Sequence, residues 1–286
     1  MTPDTQRELA RTFRDRHTEP SDGPLVLPNA WDAASAIVYE EARFDAVGTS
    51  SAGVAASLGV PDGEQLSRDE MLAVVGRIAA AVDLPVSADI EAGYGETPAA
   101  VAETVRRTID AGAVGVNLED GTNGPAGPLV PQDKHVTTIR AAREAADETG
   151  VPLVVNGRTD VFWRGVGDPS DRVERAVERA NAYREAGSDC LFVPGVTDPE
   201  TIAALVDGID GPLNVLAGPG APSIPALADL GVARVSVGSG PMRATLGFLQ
   251  EIGEELRDEG TYHRMADGIP YAELHELLSG RVDDTE

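Results

Sequence analysis

The feature that most constrains the fold is an alternation, repeated along the whole chain, of short apolar runs and longer amphipathic stretches. Several of the apolar runs follow a Pro or Gly that would end the preceding helix, as Pro85 and Gly112 do. The predicted strands are Leu25–Pro28, Ala46–Thr49, Val86–Asp89, Gly115–Leu118, Leu153–Asn156, Cys190–Val193, Leu213–Leu216 and Arg234–Val237. Parallel strands need helical crossovers, so eight strand–helix units in order predict a parallel (β/α)8 barrel of the TIM type, with a doubly wound open sheet as the alternative.

Helix starts are also visible in the sequence. Ser67 and Glu70 form a capping box, in which each side chain can bond the backbone N–H of the other residue. Thr97-Pro98 and Asp198-Pro199 each place a capping side chain before a Pro at the first helical position. These signals predict three of the crossover helices.

The chain shows no linker and no break in composition, so we expect one barrel domain spanning residues 1–286. An α/β barrel routinely reaches this length as a single unit. Residues 1–23 would hold an N-terminal helix and residues 258–286 a C-terminal extension. The stretch Tyr262 to Leu278 predicts one or two helices beyond the eighth unit.

The formal charge is −25, and Lys134 is the one lysine among 23 basic residues. Such a surface repels nucleic acid and anionic membranes, so neither is an expected partner. An acidic chain almost without Lys is typical of a halophilic protein. In about 1 M salt the Debye length falls to about 3 Å, which screens the self-repulsion of the surface.

The single cysteine, Cys190, lies in an apolar run, which predicts a small buried residue and no disulfide. The first residues are charged and contain no apolar signal region. No apolar run has the length needed to cross a membrane. We therefore expect a soluble, cytoplasmic protein. The four histidines, His17, His135, His263 and His275, lack the spacing of metal ligands and are predicted to lie on the surface.

The best indication of chemistry is a set of carboxylates at predicted strand ends. Asp89 and Glu91 are two positions apart, so on an extended strand both would point to one face. Glu119 ends the next strand. Carboxylates held close together repel one another, and Mg2+ or Mn2+ with oxygen ligands would relieve that repulsion.

Other polar residues also follow strands, where a barrel collects its catalytic groups. Ser50 and the backbone amides after it offer a site for an anion. Arg158 would give a carboxylate a planar, bidentate partner. Asn214, on the seventh strand, and Tyr94 are further candidates for substrate contact.

These segments resemble the isocitrate lyase/phosphoenolpyruvate mutase superfamily. The resemblance rests on Thr49-Ser50-Ser51, the Asp89 to Gly95 stretch, Leu118-Glu119-Asp120 and Arg158-Thr159-Asp160, in that order, and it extends from about Pro24 to Leu249. It implies a (β/α)8 barrel with an extra C-terminal helix exchanged between subunits, and a homo-oligomer, either a dimer or a tetramer. It also implies Mg2+ dependence and a small carboxylate substrate, a 2-oxo or 2-hydroxy acid that passes through a pyruvate-type enolate.

The resemblance also implies roles for individual residues. Asp89 matches the direct metal ligand, while Asp62, Glu91 and Glu119 match acidic positions that hold the metal, often through water. Ser50, with the amides of Ser51 and Ala52, matches the site for the substrate carboxylate, and Arg158 matches its guanidinium partner. Ser50 and Arg158 are therefore candidate catalytic residues.

One loop departs from the family pattern. Members that cleave isocitrate or methylisocitrate carry a Lys-Lys/Arg-Cys-Gly-His loop after strand four, whereas Gly121 to Pro128 contain neither Cys nor Lys. The mutase branch has a Lys-Thr-Asn stretch there, and Asn123 matches its Asn as a third candidate catalytic residue. The expected activity is a carbon–carbon lyase, and the alternatives are a phosphonopyruvate or phosphoenolpyruvate P–C mutase or hydrolase and a non-catalytic barrel that binds oxo acids.

Overall fold

The computed structural model describes residues 1–18, 23–122, 124 and 127–279. In this part of the chain, nine parallel strands follow one another in the order β1-β9-β8-β7-β6-β5-β4-β3-β2. The strands are β1 Leu25–Leu27, β2 Asn29–Ala30, β3 Val47–Thr49, β4 Val86–Asp89, β5 Gly115–Glu119, β6 Val154–Arg158, β7 Cys190–Phe192, β8 Leu213–Leu216 and β9 Arg234–Ser236. From β2 to β9 consecutive strands are neighbours, and β1 pairs with β9, which excludes the doubly wound sheet and confirms the predicted TIM-type barrel.

The barrel closes through an interrupted stave. β1 pairs with β9 and β2 pairs with β3, and the two pieces are separated by Pro28 alone. Proline has no N–H to donate to a ladder, but the carbonyl oxygen of Pro28 accepts a hydrogen bond from Gly48 N over 2.8 Å. The nine strands therefore form eight staves.

From β2 onward, helices connect successive strands, as the crossover rule requires, and further helices precede β1 and follow β9. They are α1 Pro3–Thr18, α2 Ala33–Glu41, α3 Ser51–Ser57, α4 Arg68–Ala81, α5 Pro98–Asp110, α6 Gln132–Thr149, α7 Arg172–Glu185, α8 Pro199–Gly208, α9 Ile224–Asp229, α10 Gly240–Asp258 and α11 Tyr271–Ser279. The three predicted helix starts are confirmed, because Ser67, Thr97 and Asp198 each accept a hydrogen bond from a backbone N–H at the start of α4, α5 and α8. None of the described helices combines the length and the apolar content needed to span a membrane.

Alternation along the strands divides the barrel into two environments. Outward-facing residues such as Val116, Leu118 and Val155 are fully buried in the main hydrophobic cluster beneath the helices. Asn117 and Asn156, which alternate with these outward-facing residues along β5 and β6, line a cavity inside the barrel. The hydrophobic core is thus the layer between sheet and helices, and much of the barrel interior is polar.

The ends of the chain are placed differently. Phe13 of α1 is buried in the main core, and a Cβ at Gly115 would lie only 2.7 Å from its ring, so this stave needs a glycine. At the other end, α10 exposes 45–59% of Leu246, Phe248, Leu249 and Leu256. The predicted C-terminal extension contains α11, whose Leu277 and Leu278 pack beside the cluster of Ala36 and Ile37 under α2.

Candidate active site

Most of the predicted site residues meet at one cavity at the carboxyl ends of the strands. Ser50, Ser51, Ala52, Asp62, Asp89, Arg158 and Asn214 all line it. Its volume is about 120 Å³. Since a single water occupies about 10–15 Å³ on this scale, the cavity suits a ligand of about ten heavy atoms.

Asp89, the last residue of β4, is held by hydrogen bonds on both carboxylate oxygens. Oδ2 accepts from Ser51 N over 3.0 Å, and Oδ1 accepts from Asn117 Nδ2 over 2.9 Å. Its own backbone N–H donates to Thr49 Oγ1 over 2.8 Å. Each carboxylate oxygen can accept a second interaction, so a fixed Asp89 still has lone pairs for a ligand.

Ser50 is the N-cap of α3, and its Oγ accepts a hydrogen bond from Gly53 N over 3.2 Å. Ser50 is 4% exposed and Ser51 7%. The Ser51 amide already donates to Asp89. In this stretch, the groups that would bind a ligand carboxylate are therefore the Ser50 hydroxyl proton and the Ala52 amide.

Asp62 lines the same cavity from the loop between α3 and α4. Burial raises the pKa of Asp62, and the charge of Asp89 raises it further. Hydrogen bonds from Gly63 and Ser51 and the charge of Arg158 act in the opposite direction. A divalent cation between Asp62 and Asp89 would relieve their repulsion.

Glu91 does not continue the strand beyond Asp89, as the alternation argument assumed. β4 ends at Asp89, and Glu91 has φ 51°, in the left-handed region. Its Oε1 accepts from the Tyr94 hydroxyl over 2.7 Å and its Oε2 from Glu64 N over 2.7 Å. Burial, followed by the charge of Asp89, raises the pKa of Glu91 to about 7 against the effect of the Tyr94 hydrogen bond. Glu91 and Tyr94 thus form a bonded pair, and neither of them, nor Glu119, is among the described residues that line the cavity.

Arg158, at the end of β6, is held between two carboxylates. Nη1 lies 2.8 Å from Glu119 Oε2, and Nε lies 2.6 Å from Asp160 Oδ1. Its guanidinium carbon is 5.5 Å from the centre of the Phe192 ring. Burial raises the pKa of Glu119, and the Arg158 charge opposes this. A guanidinium has five N–H groups, so these two ion pairs leave donors for a ligand carboxylate.

A buried network behind the site fixes Asp160. Asp120 Oδ1 accepts from Asp160 N over 2.8 Å, and Asp120 Oδ2 accepts from Tyr183 Oη over 2.6 Å and from Arg179 Nε over 2.8 Å. Asp120 and Asp160 are both fully buried. This network gives Arg158 a rigid partner on one side.

Sequence reasoning missed several residues that line the cavity. Asn156 Nδ2 donates to Asn117 Oδ1 over 3.1 Å, and Asn117 in turn donates to Asp89, which links three neighbouring staves. Arg234 also lines the cavity. The signal was available, because Asn117 precedes Glu119 by two positions and Asn156 precedes Arg158 by two, so each pair shares a face of its strand.

Two other expectations have different outcomes. The prediction that all four histidines lie on the surface is wrong for His17 and His135, each of which is 2% exposed. The prediction of a small buried Cys190 is confirmed. Asn123 lies outside the described residues.

The donor set is compatible with a hard divalent cation. Among the described residues, no three His, Cys, Asp or Glu side chains converge closely enough to enclose a metal alone. Mg2+ commonly takes only one or two carboxylates and completes its shell with water and substrate oxygens. Asp89 and Asp62, which line the cavity, fit that pattern, while the metal roles expected for Glu91 and Glu119 stay predictions.

Comparison with known proteins decides the family. A family model described as phosphoenolpyruvate phosphomutase matches residues 13–257. The chain belongs to this family. An uncharacterized protein of Mycobacterium tuberculosis is 37% identical and covers 93% of this chain and 96% of its own length. The 2-methylisocitrate lyase of Escherichia coli is 30% identical, with coverage of 94% and 92%.

Solved structures extend the family likeness to the fold. A Burkholderia cenocepacia protein provisionally described as a lyase or mutase has a TM-score of 0.90 at 38% identity, covering 96% of this chain and 98% of its own. Oxaloacetate acetylhydrolase in complex with the product oxalate has a TM-score of 0.84 at 27% identity, with coverage of 96% and 94%. Phosphonopyruvate hydrolase in complex with oxalate and Mg++ has a TM-score of 0.83 at 28% identity, with 95% coverage of both chains. The family thus contains lyases, mutases and hydrolases.

Proposed function

We propose that this protein is a Mg2+-dependent lyase that cleaves a carbon–carbon bond of a small 2-oxo or 2-hydroxy dicarboxylate. The observation that carries the proposal is the shared cavity of Asp62, Asp89 and Arg158 at the carboxyl end of the barrel. Acidic groups for a cation and a guanidinium for a carboxylate are what a chelating oxo acid requires. The small cavity volume and the oxalate complexes of two relatives support a ligand of this size.

The residues would divide the work as follows. Asp89 and Asp62 would hold the Mg2+, which would supply positive charge near the substrate carboxylate and the C2 oxygen. Arg158 and the Ser50 hydroxyl would bind and orient the same carboxylate. For a 2-oxo acid, the C3–C4 bond would break, C4 would leave as CO2, and the electron pair would stay on C3 and delocalise onto the C2 oxygen as an enolate. Fixed positive charge would stabilise the negative charge that develops on that oxygen.

The arrangement of Arg158 matters for this role. Asp160 and Glu119 hold its guanidinium in place before any ligand binds, so little reorganisation is needed during the reaction. The Phe192 ring lies within cation–π distance of the same guanidinium. We infer that Arg158 acts as a preorganised anchor rather than as a proton donor, because an arginine in a protein stays protonated.

A second candidate is cleavage or transfer at a P–C bond. It is favoured by the likeness to phosphonopyruvate hydrolase and by the absence of Cys and Lys from the loop between Gly121 and Pro128. The same absence favours the third candidate, a barrel that binds oxo acids without turnover.

Turnover of oxaloacetate, substituted malates and phosphonopyruvate with Mg2+ separates these candidates. We expect cleavage of oxaloacetate or of a substituted malate. Turnover of phosphonopyruvate alone would establish the second candidate, and tight oxalate binding without turnover of any compound would establish the third. Asp89→Asn should abolish both turnover and calorimetric Mg2+ binding, whereas Asp229→Asn, an exposed carboxylate at the end of α9, should retain both. Full activity of Asp89→Asn would refute the assignment of the metal site.

A further inference from the structure

The floor of the cavity carries polar side chains that the proposed reaction does not need. Ser87, Asn156 and Arg234 line it beside Asn214, and each of the four is at most 3% exposed. Each has a buried polar atom without a hydrogen-bond partner in the described part of the chain, namely Ser87 Oγ, Asn156 Oδ1, Asn214 Oδ1 and Arg234 Nε. More than about 90% of buried polar groups in proteins are paired. Four such atoms around one cavity indicate a surface built for a polar ligand.

Arg234 is the charged member of this group. Within the described residues, no carboxylate oxygen lies within 4.0 Å of its guanidinium nitrogens. By contrast, Arg158 in the same cavity has two such partners. Arginine stays charged in proteins, and a buried charge without a partner is costly. The cavity floor therefore carries one uncompensated positive charge.

The neighbours of Arg234 do not supply the missing negative charge. Its guanidinium carbon is 5.8 Å from the centre of the Phe13 ring, and Nη1 is 3.5 Å from His17 Nε2. His17 Nδ1 lies 2.7 Å from the Phe13 carbonyl oxygen, to which it must donate, so Nε2 is an acceptor without a proton. Burial lowers the pKa of His17 to about 3, with a smaller effect of the Arg234 charge, so this ring is neutral.

Two further groups complete the surroundings. Burial raises the pKa of the Cys190 thiol to about 11, so Cys190 is also neutral. Asp89 is the carboxylate whose field reaches Arg234, but it lies beyond ion-pair distance and already accepts from Ser51 and Asn117. Both neighbours thus leave the charge of Arg234 open to a ligand.

Donors for an anion are present next to the guanidinium. Asn214 pairs with Arg234 across β8 and β9, so the two inward side chains are adjacent. Asn214 Nδ2 lies 3.4 Å from Ser236 Oγ, and Ser236 Oγ lies 3.4 Å from the Val215 carbonyl oxygen. Both distances are long for hydrogen bonds, so the amide and the hydroxyl can turn to a ligand at little cost.

We propose that Arg234, Asn214 and Ser236 form a subsite for a compact monoanionic group at the floor of the cavity. If that group belongs to the substrate, the assignment rests on the proposed function and narrows the class of substrate to dicarboxylates. The substrate then carries two carboxylates, one at the Asp89 end of the cavity and one at Arg234. A free inorganic anion could supply the same negative charge and is the other source of the group in the subsite.

Ligands with one or two carboxylates test the subsite in solution. The probes are pyruvate and 3,3-difluorooxaloacetate, titrated calorimetrically with Mg2+ into the wild type, Arg234→Met and Arg234→Lys. A lost bond to a charged group corresponds to a weakening of about 10- to 100-fold. We expect that loss for difluorooxaloacetate on Arg234→Met, a change within about twofold for pyruvate, and partial recovery in Arg234→Lys.

Bromide tests whether a free inorganic anion occupies the subsite of the wild-type protein. Wild-type crystals soaked in bromide should give an anomalous peak at the Arg234 guanidinium, and bound difluorooxaloacetate should displace it. A bromide peak without selective loss of the dicarboxylate supports the subsite with a free anion as occupant. Equal losses for both carboxylates together with no bromide peak would overturn the proposal. If wild-type protein binds neither carboxylate, the proposed function fails, while the bromide result still decides the subsite.

Discussion

Asn117 donates a hydrogen bond from Nδ2 to Asp89 Oδ1 over 2.9 Å, and this bond orients the carboxylate that we assign to the metal. Groups that hold a metal ligand typically contribute about 10- to 100-fold to metal affinity. We expect Asn117→Leu to weaken Mg2+ binding by about that factor, measured by calorimetry. Asn156→Leu removes the next bond in the chain and should have a smaller effect. Wild-type affinity in Asn117→Leu would show that Asp89 is held without it.

Asp120 should be important for the stability of the fold. It is fully buried and accepts from Thr159, Asp160, Arg179 and Tyr183. Removal of one partner of a buried ion pair leaves the other charge uncompensated, which costs about 3–5 kcal/mol. We expect Asp120→Ala to lower the free energy of unfolding by that amount in urea titrations, while Asp229→Ala stays near wild type. A loss below about 1 kcal/mol would contradict this role.

The buried side chain of His135 should make the folded protein less stable in acid. Burial lowers the pKa of His135 to about 4, from an ordinary value of 6.5. The unfolded chain then binds a proton that the folded chain does not, so stability falls as the pH drops from about 6.5 to about 4, by at most about 3 kcal/mol.

The variant His135→Phe isolates this contribution. His135 Nε2 has no hydrogen-bond partner in the described residues, and its ring packs against Tyr183 at 4.7 Å. A phenyl ring can keep that contact, so we expect a shallower decline between pH 6.5 and 4 in urea titrations. His263→Gln, at an exposed position, should retain the wild-type decline. An unchanged slope in His135→Phe would refute the assignment.

The net charge of −25 predicts a strong dependence on salt. Screening of self-repulsion by about 1 M salt should stabilise the compact state. We expect the melting temperature to rise between dilute buffer and molar KCl, as measured by calorimetry. An uncharged osmolyte at equal osmolality serves as the control. A melting temperature that does not change with KCl would contradict the halophilic interpretation.

The exposed apolar side chains of α10 predict self-association. Leu246, Leu249 and Leu256 follow a helical spacing and are each about half exposed. A homo-oligomer that covers this face, by helix exchange or by packing, remains our proposal. Leu249→Glu should shift the sedimentation coefficient toward the monomer, whereas Gln250→Glu, which adds the same charge at a polar position, should not. A wild-type protein that is monomeric at all concentrations would contradict it.

The barrel could be predicted because short apolar runs alternate with amphipathic stretches, and several of these runs follow a Pro or Gly. Val116 and Leu118 show this pattern and lie where alternation puts them. Asp89 and Arg158 were found by the same logic, since residues at strand ends face a common cavity. The position of a residue at the end of a strand was therefore enough to predict that it lies in the site.

Other features had no local signal. The left-handed backbone of Glu91 follows from its bonds to Tyr94 and Glu64, which are tertiary contacts. Arg234 at the start of a short strand has the sequence appearance of a solvated residue, and its burial depends on α1 packing beneath the barrel. The burial of His17 has the same cause, since its ring lies between Phe13 and Arg234.

The separation of an apolar outer layer from a polar lumen has an evolutionary consequence. The main hydrophobic cluster lies on the side of the staves that faces the helices, whereas inner asparagines, serines and arginines line the cavity. Replacement of a few residues that line the cavity can therefore change which ligand binds while the scaffold persists. A fold organised in this way is well suited to diversify into enzymes that share one architecture and differ in the bond they break.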